Sequence, residues 1–273
     1  MRILVTGHEG FIGKNLALHL MNAGHEVEGW EYIPNVIPDP SSYDWVIHLG
    51  AISSTTYKDV EQIMEQNFEY SCRMLQVCDT MGVNFQYASS ASVYGTNTDF
   101  SEDAPKNPQS PYAWTKFLFD RFVEQHLDDL QILCQGFRYF NVYGQYEEHK
   151  ADQASPVSKF TRQAEEYGKI KLFENSDKYK RDFICVNDIC KIHENMLGVD
   201  QSGIFNIGTG STTSFADVAK AISKKYNADI EYIPMPDTLK GQYQEYTKAD
   251  ISKLKEHIDL DFTTVEDYIN GRS

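Results

Sequence analysis

A tyrosine and a lysine four positions apart could form a proton-transferring pair in this chain. Tyr112 and Lys116 follow Ser110 and Pro111, which read as a helix N-cap and a proline in the first turn. Residues four apart lie on one helix face, so the two side chains are neighbours. A free tyrosine has a pKa of about 10 and is a weak base at neutral pH. An adjacent ammonium favours the phenolate, which could then exchange a proton with a substrate hydroxyl.

A serine-rich run upstream supplies a further polar group for this chemistry. Residues 88–95 read Ala-Ser-Ser-Ala-Ser-Val-Tyr-Gly and begin where a predicted strand near Phe85–Ser89 ends. Ser90 in this run could hydrogen-bond the oxygen of a reacting substrate. Tyrosine and lysine four apart often occur by chance, but together with Ser90 and a glycine turn at the N-terminus they indicate oxidation and reduction of a hydroxyl group.

That glycine turn follows the first predicted strand, Arg2–Thr6, and opens a helix near Phe11–Ala23. Gly7 allows a tight turn, Gly10 lets the backbone approach a pyrophosphate, and Gly13 allows the helix to pack closely on the strand. The N-terminus of the helix attracts negative charge. The spacing Gly-x-x-Gly-x-x-Gly in this strand–turn–helix context therefore predicts a dinucleotide site.

Glu31 stands at the end of the second predicted strand, Glu26–Trp30, where dinucleotide-binding folds place an acidic ribose ligand. Its carboxylate could accept hydrogen bonds from both ribose hydroxyls and would repel a 2′-phosphate. No lysine or arginine stands between Lys14 and Lys58. Both features favour NAD over NADP as the cofactor; the alternative for Glu31 is a solvated glutamate at a strand end.

The elements that must position these residues alternate between apolar runs and helical periodicity. This pattern predicts an α/β fold: a Rossmann-type doubly wound parallel sheet with a smaller interleaved α+β substrate domain. We expect the dinucleotide-binding domain at 1–144 plus about 182–208, and the substrate-binding domain at about 145–181 plus 209–273. Further strands are predicted near Trp45–Leu49, Leu130–Phe140 and Ile230–Ile233, further helices near Val60–Met81, Pro111–Leu127 and Phe215–Tyr226, loops at 34–43 and Gln145–Pro156, and sheet-like segments at Asp182–Leu197 and Gly203–Gly210.

Composition narrows the class of protein. The 273 residues carry a net charge of −15 and are 41% hydrophobic, which is typical of a folded protein that has no nucleic-acid or anionic-membrane partner. No apolar run approaches the roughly 18 residues of a membrane span, and the N-terminus reads as a strand rather than a signal peptide. The five cysteines form no Cys-x-x-Cys pair, so we expect reduced thiols, no metal site and a cytoplasmic location.

The motifs described so far resemble those of the extended short-chain dehydrogenase/reductases that act on nucleotide sugars, the NAD-dependent epimerase/dehydratase family. Several further runs are similar to the ADP-glycero-manno-heptose 6-epimerases in particular, and together they cover nearly the whole chain. These runs are His-Leu-Gly-Ala-Ile-Ser-Ser-Thr-Thr at 48–56, Gly-Phe-Arg-Tyr-Phe-Asn-Val-Tyr-Gly at 136–144, His-Lys at 149–150, Lys-Leu-Phe-Glu at 171–174, Lys-Arg-Asp-Phe at 180–183, Ile-Glu-Tyr-Ile-Pro at 230–234 and Pro-Asp-Thr-Leu-Lys-Gly-Gln-Tyr-Gln at 236–244.

The resemblance implies an epimerase with acid/base groups on opposite faces of the sugar, Tyr112 and Lys150. One group removes a hydroxyl proton while NAD takes a hydride, and after the ketone turns over the hydride returns to the other face with a proton from the second group. Lys116 would tune Tyr112 and hold the ribose, and Ser90 would orient the reacting oxygen. A solvated loop lysine is the alternative for Lys150.

The resemblance also implies two sets of binding residues for NAD and for a nucleoside diphosphate sugar. The cofactor set is Gly7, Gly10, Phe11, Ile12, Gly13, Glu31, Leu49, Gly50, Ala51, Ser53, Asn67, Tyr112, Lys116 and Val142. The substrate set is Ser90, Asn141, Phe173, Ser176, Arg181 and Tyr243. The guanidinium of Arg181 would bind a diphosphate bidentately, whereas Asn67 has the alternative of a polar residue on a helix face. A homo-oligomer is common among such enzymes, but no interface can be recognised in the sequence.

Two regions depart from the family pattern. The segment between Glu31 and Trp45 is shorter than in family members and lacks a strand and basic residues. After Lys150, Ala151-Asp152-Gln153 and Lys159 replace the expected residues.

The alternatives to a heptose epimerase are another nucleotide-sugar epimerase, such as a UDP-hexose 4-epimerase, or a catalytically silent nucleotide-binding module. Dehydratases usually carry Asp-Glu after the catalytic hydroxyl residue, and this chain has Ala-Ser there.

Overall fold

The computed structural model describes residues 1–236 and 244–271. In chain order, its strands are β1 (Arg2–Thr6), β2 (Glu26–Trp30), β3 (Trp45–His48), β4 (Asn84–Ser90), β5 (Cys134–Tyr139), β6 (Asn141–Tyr143), β7 (Lys169–Phe173), β8 (Lys180–Arg181), β9 (Phe183–Cys185), β10 (Gly203–Ile207), β11 (Thr213–Ser214) and β12 (Asp229–Ile233). Its helices are α1 (Phe11–Asn22), α2 (Val60–Met64), α3 (Tyr70–Met81), α4 (Pro111–His126), α5 (Pro156–Tyr167), α6 (Val186–Met196), α7 (Phe215–Tyr226), α8 (Ser252–Lys255) and α9 (Val265–Ile269). Within the two described ranges, no helix is long and apolar enough to cross a bilayer.

Six parallel strands form the central sheet in the order β10-β5-β4-β3-β1-β2. The chain leaves β1 toward β2 on one side and continues through β3 on the other, so the loops at their carboxyl ends diverge. Such a switch point leaves a crevice in which doubly wound sheets bind their ligands. The architecture confirms the predicted Rossmann-type α/β fold.

Side chains of the inner strands are buried on both faces of the sheet. In β1, Ile3 and Val5 pack with Leu16 of α1 and Cys190 of α6, while Leu4 joins a cluster with residues of α3 and α4. Alternate residues of a strand point to opposite faces, and helices cover both faces here. This explains the apolar runs Ile3–Val5 of β1 and Trp45–Ile47 of β3.

A smaller sheet lies outside the central one. Its strands β7 and β12 pair in parallel, with Ile170 opposite Ile230. Ile170 and Leu172 pack with Val218 and Ile222 of α7 in a separate apolar cluster, which also takes residues from α5 and α9. The division of the chain into two domains stays a prediction.

The predicted sheet-like segment Asp182–Leu197 is wrong beyond Cys185, where the helix α6 begins. Its buried residues recur at the three- and four-residue spacing of a helix, and Asp188 lies in the first turn, where a carboxylate is favourable. Two smaller differences concern the predicted strand Leu130–Phe140, which begins only at Cys134, and the predicted loop at 145–156, which contains a 3₁₀ turn at Glu148–Gln153.

The strand β2 lies at the edge of the central sheet because the short segment after it adds only a bridge between Ile33 and Val36. Residues at the end of β2 and at the start of this segment instead form hydrogen bonds with the helices that pack on the sheet. Trp30 donates from Nε1 to the hydroxyl of Tyr70 (3.2 Å), and Tyr32 donates to Glu65 (3.1 Å). Glu65 begins a π-helical turn, Glu65–Glu69, that joins α2 to α3.

The two loops at the switch point approach so closely that Gly7 tolerates no side chain. Gly7 has a φ of 68°, and a Cβ there would lie 2.6 Å from the Cα of Gly50.

Gly82 has a φ of 70° but open space around it. We expect Gly82→Ala to lower the free energy of unfolding by about 1–2 kcal/mol, through backbone conformation alone. Gly7→Ala should cost about 1–3 kcal/mol more, because its methyl displaces backbone. Equal losses in urea unfolding would contradict the close approach.

Candidate active site

A cavity of about 520 Å³ opens at the carboxyl ends of β1, β3 and β4. Its wall combines the glycine turn, the segment after β3, the start of α4 and the loop before α5. The predicted site residues that line it are Gly7, Gly10, Phe11, Ile12, Gly13, Glu31, Leu49, Gly50, Ala51, Ser53, Ser90, Tyr112, Lys116, Asn141, Val142 and Lys150. The fold therefore brings together nearly all of the predicted cofactor residues and every predicted acid/base residue.

The glycine turn forms a backbone cradle at one end of this cavity. Gly7 donates its N–H to the carbonyl of Trp30 (2.8 Å), and Gly10 donates to Gly7 (3.1 Å). A Cβ at Gly13 would lie 2.0 Å from the carbonyl oxygen of Gly7, so the helix α1 packs directly on the turn. Gly10 is the N-cap of α1 and leaves the first N–H groups beside the cavity. This arrangement fits the pyrophosphate of a dinucleotide.

Glu31 faces the cavity beside the turn. Its Oε1 accepts the backbone N–H of Glu9 (2.9 Å) and lies 3.0 Å from Nδ1 of His8. The His8 ring packs on the backbone of Gly29, where a Cβ would lie 2.2 Å from it. These contacts fix the carboxylate at the strand end, where the ribose of a dinucleotide is expected.

Tyr112, Lys116 and Ser90 meet at the centre of the cavity, but their electrostatics differ from expectation. The sequence predicts that Lys116 lowers the pKa of Tyr112. In the structure burial dominates and raises that pKa, while a hydrogen bond with Ser90 lowers it in part. Lys116 donates to the carbonyl of Ala88 (2.8 Å), its Nζ lies 6.0 Å from the Tyr112 ring centroid, and burial lowers its own pKa to about 8.

Lys150 enters the cavity from the loop between β6 and α5. Its Nζ lies 5.0 Å from the centroid of the Phe11 ring, at the start of α1. Burial lowers the pKa of Lys150, and the negative charge of Glu147 opposes that shift. Lys150 therefore lies partly buried in the cavity wall, and its role as an acid/base group stays a prediction.

A chain of hydrogen bonds supports the floor of the cavity. Thr6 accepts from the N–H of Gly50 (3.2 Å) and donates to Nδ1 of His48 (2.7 Å). The other ring nitrogen of His48 donates to Ser71 (2.9 Å), whose hydroxyl donates to the carbonyl of Asn67 (2.7 Å). Burial lowers the pKa of His48 to about 3, so the ring is neutral and its tautomer is set by these partners.

Asn67 lies beneath the cavity wall and outside its lining. Its Oδ1 accepts the N–H of Ile52 (2.8 Å), and its Nδ2 donates to the carbonyl of Ile52 (2.9 Å) and to Thr115 (3.3 Å). The amide thus holds the segment after β3 against α4. Its predicted contact with the cofactor stays a prediction.

The predicted substrate residues divide between the cavity and a separate region. Asn141 lines the cavity and donates to Thr247 (3.1 Å). Phe173, Ser176 and Arg181 lie outside the lining, with the Ser176 hydroxyl bonded to the carbonyl of Phe173 (2.5 Å). The guanidinium of Arg181 donates to the carbonyls of Lys180 (3.0 Å) and Gln244. Tyr243 and most of the motif at 236–244 lie outside the described residues.

Several lining residues have no counterpart in the sequence-based predictions. They are Thr55, Ala88, Ser89, Tyr139, Phe140, Glu147, Ala154, Ser155 and Pro156. The pair Ser155-Pro156 carries the same N-cap signal as Ser110-Pro111 and begins α5, so this helix could have been predicted. The buried carboxylate of Glu147 has no local signal. Within residues 1–236 and 244–271, no cluster of three or more His, Cys, Asp or Glu side chains is placed to hold a metal.

Comparison with known proteins gives a consistent set of relatives. A sequence model of the NAD-dependent epimerase/dehydratase family matches residues 3–208. An ADP-L-glycero-D-manno-heptose-6-epimerase of Alkalilimnicola ehrlichii is 38% identical over 300 residues, covering 97% of this chain and 94% of that protein. The solved ADP-L-glycero-D-manno-heptose-6-epimerase of Helicobacter pylori is 24% identical with a TM-score of 0.86, covering 99% of this chain and 94% of its own. A UDP-glucose 4-epimerase of Thermus thermophilus, solved with NAD, is 23% identical with a TM-score of 0.79, covering 94% and 93%.

The neutral state of buried His48 makes stability depend on pH. The unfolded chain takes up this proton near pH 6.5 and the folded chain only near pH 3. The stabilisation of the folded state that comes from the neutral His48 ring is therefore complete above pH 6.5 and is lost progressively as the pH falls toward 3. We expect His48→Gln to reduce the loss of unfolding free energy between pH 7 and pH 5 by about 2 kcal/mol in urea titrations. The exposed His126→Gln should leave that pH dependence unchanged, and equal curves for both variants would contradict the assignment.

Proposed function

The chain belongs to the NAD-dependent epimerase/dehydratase family, and we propose that it is a nucleotide-sugar epimerase that inverts C6 of ADP-glycero-manno-heptose. The observation that carries the proposal is the single cavity in which the glycine turn, Tyr112 with Lys116, and Lys150 from a separate loop converge. The 38% identity to a heptose epimerase over 97% of the chain supports the choice of sugar.

The residues present fit NAD as the cofactor. The turn at Gly7–Gly13 and the first N–H groups of α1 would hold its pyrophosphate, and Glu31 would accept hydrogen bonds from its ribose. Lys116, fixed by the carbonyl of Ala88, would reach the second ribose. When bound, NAD supplies the acceptor and donor of the hydride.

Proton transfer is the work of the chain's own side chains. Ser90 donates to or accepts from the reacting oxygen and holds it beside the Tyr112 phenol. Burial disfavours the phenolate, so Tyr112 rests protonated and can act as an acid. It acts as a base when positive charge gathers near it, from Lys116 and from an oxidised cofactor ring.

Lys150 supplies the second proton-transferring group from a different element of the fold. Its amine is carried by the loop before α5, whereas the phenol is carried by α4. An epimerase needs a proton donor and acceptor for each face of the sugar carbon. Burial lowers the pKa of Lys150 and makes the ammonium a better acid near neutral pH.

A UDP-hexose 4-epimerase is the second candidate. The residues that follow Lys150, among them Gln153 in the cavity wall, depart from the heptose-epimerase pattern. The same acid/base arrangement would serve C4 of a hexose if that carbon lay between Tyr112 and Lys150. The choice depends on which sugar the cavity orients.

We also propose a cytoplasmic location. The five cysteines are free, and Cys78, Cys134, Cys185 and Cys190 are buried. Burial raises the pKa of each of these four thiols, which keeps them protonated and unreactive. A chain with free buried thiols is typical of a reducing compartment.

The direct test is incubation with NAD and ADP-D-glycero-D-manno-heptose, followed by proton NMR. We expect inversion at C6 and, in D₂O, no deuterium at that carbon, because the hydrogen leaves and returns as a hydride. Tyr112→Phe and Lys150→Met should each lower turnover by about 10²- to 10⁴-fold while NAD affinity, measured by calorimetry, stays within a few fold.

Each alternative has its own signature in the same experiment. Turnover of a UDP-hexose with no change in the heptose would move the assignment to the 4-epimerase. Full activity in Tyr112→Phe would exclude the phenol as an acid or base. NAD binding without turnover of either sugar would favour a catalytically silent binding module.

Glu31 should set the choice between NAD and NADP. Its carboxylate would face the 2′-phosphate of NADP across a few ångströms of partly solvated space, a repulsion of about 1–2 kcal/mol. We expect Glu31→Gln to narrow the ratio of the two dissociation constants by about tenfold, measured by calorimetry. Glu26→Gln, which changes an exposed carboxylate at the opposite end of β2, should leave the ratio unchanged. Tighter binding of NADP than NAD by the unmodified protein would refute the assignment.

A further inference from the structure

Glu147 is buried in the wall of the proposed active site, although a carboxylate is costly to bury. Its exposed fraction is 2%, and it lies in the loop between β6 and α5 that also carries Lys150. Burial raises the pKa of Glu147, whereas hydrogen bonds from Ser155 and the charge of Lys150 lower it. A buried acid of this kind needs compensating partners, and both of them lie within one short loop.

The first partner fastens the loop at its far end. The Oε2 of Glu147 accepts the hydroxyl of Ser155 (2.8 Å), and its Oε1 accepts the backbone N–H of the same residue. Ser155 is also the N-cap of α5, because its Oγ accepts the N–H of Ser158 (3.2 Å). The carboxylate thus ties the start of the loop to the start of a helix.

The second partner is Lys150, which lies between these two anchor points. Its backbone N–H donates to the carbonyl of Glu147 (3.0 Å), which turns the chain so that the side chain enters the cavity above Phe11. Among the side chains that the structure describes, the titratable groups around this loop include Glu147 and Glu148 of its own turn, Lys14 of α1 against Tyr146, Tyr268 of α9, and Glu31, Tyr112 and Lys116 of the cavity wall. The carboxylate of Glu147 shares the cavity wall with the amine of Lys150, and its negative charge stabilises the ammonium.

We propose that Glu147 is a positioning residue for Lys150, closing the loop through Ser155 and supplying the counter-charge that keeps the partly buried amine protonated. The inference rests on the proposed function, in which Lys150 is the second acid/base group. Burial in the cavity wall alone would leave the amine less charged at neutral pH and so a poorer proton donor. Glu147 offsets this by acting through the amine of Lys150.

The two roles of Glu147, closing the loop through Ser155 and supplying a counter-charge to Lys150, can be separated by substitution. Glu147→Gln keeps the length of the side chain and an oxygen for the Ser155 N–H, but removes the charge. Ser155→Ala keeps the charge and removes the two hydrogen bonds of the Ser155 hydroxyl, to Glu147 and from the N–H of Ser158. Glu148→Gln removes an exposed carboxylate from the neighbouring position and serves as the matched control.

The pKa of Lys150 can be read without turnover, by reductive methylation with ¹³C-formaldehyde and NMR titration of the dimethyl-lysine signals. Lys150→Arg identifies the signal. We expect Glu147→Gln to lower the pKa of Lys150 by about one unit. Glu148→Gln and Ser155→Ala should leave it in place. In kcat/KM profiles, the limb that reports Lys150 should move to lower pH by the same amount.

An unchanged Lys150 signal in Glu147→Gln would overturn the proposal, as would an equal shift in Glu148→Gln. If Glu147→Gln does not fold, Glu147→Asp, which withdraws the carboxylate by one methylene, should still lower the Lys150 pKa, and no change there would overturn it too. A shifted signal in a protein that epimerises no nucleotide sugar would support the role of Glu147 and count against the proposed function.

Discussion

The close approach of two loops at the switch point is the constraint on which the site depends. The turn after β1 and the segment after β3 pass so near each other that a Cβ at Gly7 would lie 2.6 Å from the backbone of Gly50. This contact brings the N-terminus of α1 to the carboxyl edge of the sheet. Every other part of the cavity is placed relative to that edge, because parallel strands end side by side and β4 delivers Ser90 there.

Buried polar groups hold helix α4 in register with strands β4 and β5. Asp120 lies four residues after Lys116 on α4 and accepts from Nε of Arg138 on β5 (2.7 Å), with both side chains almost fully buried. Tyr87 of β4 donates to the same carboxylate (3.1 Å). Removing one partner of such a pair leaves an uncompensated buried charge, so the helix that carries Tyr112 cannot slide along the sheet at low cost.

Local patterns in the sequence predicted the parts of the molecule that depend on local physics. The glycine turn, the N-cap before α4 and the apolar inner strands all follow from neighbouring residues. Helix α6 was not predicted because it directly follows the buried strand β9, and over short stretches an apolar helix segment resembles a strand. The burial of Glu147, the underlying position of Asn67 and the raised pKa of Tyr112 depend on residues distant in sequence. No pattern of spacing carries that information.

The charge of the protein and that of its proposed substrate pose an apparent conflict. A chain with a net charge of −15 would have to bind an anionic nucleotide sugar. Screening limits the repulsion, because surface charges act over only about 8 Å at physiological ionic strength. The cavity wall carries two lysines, Lys116 and Lys150, and two carboxylates, Glu31 and Glu147, so its side chains are balanced in charge although the protein as a whole is acidic. The N-terminus of α1 adds partial positive charge at the glycine turn, so an entering anion meets a far less negative surface in the cavity than outside it.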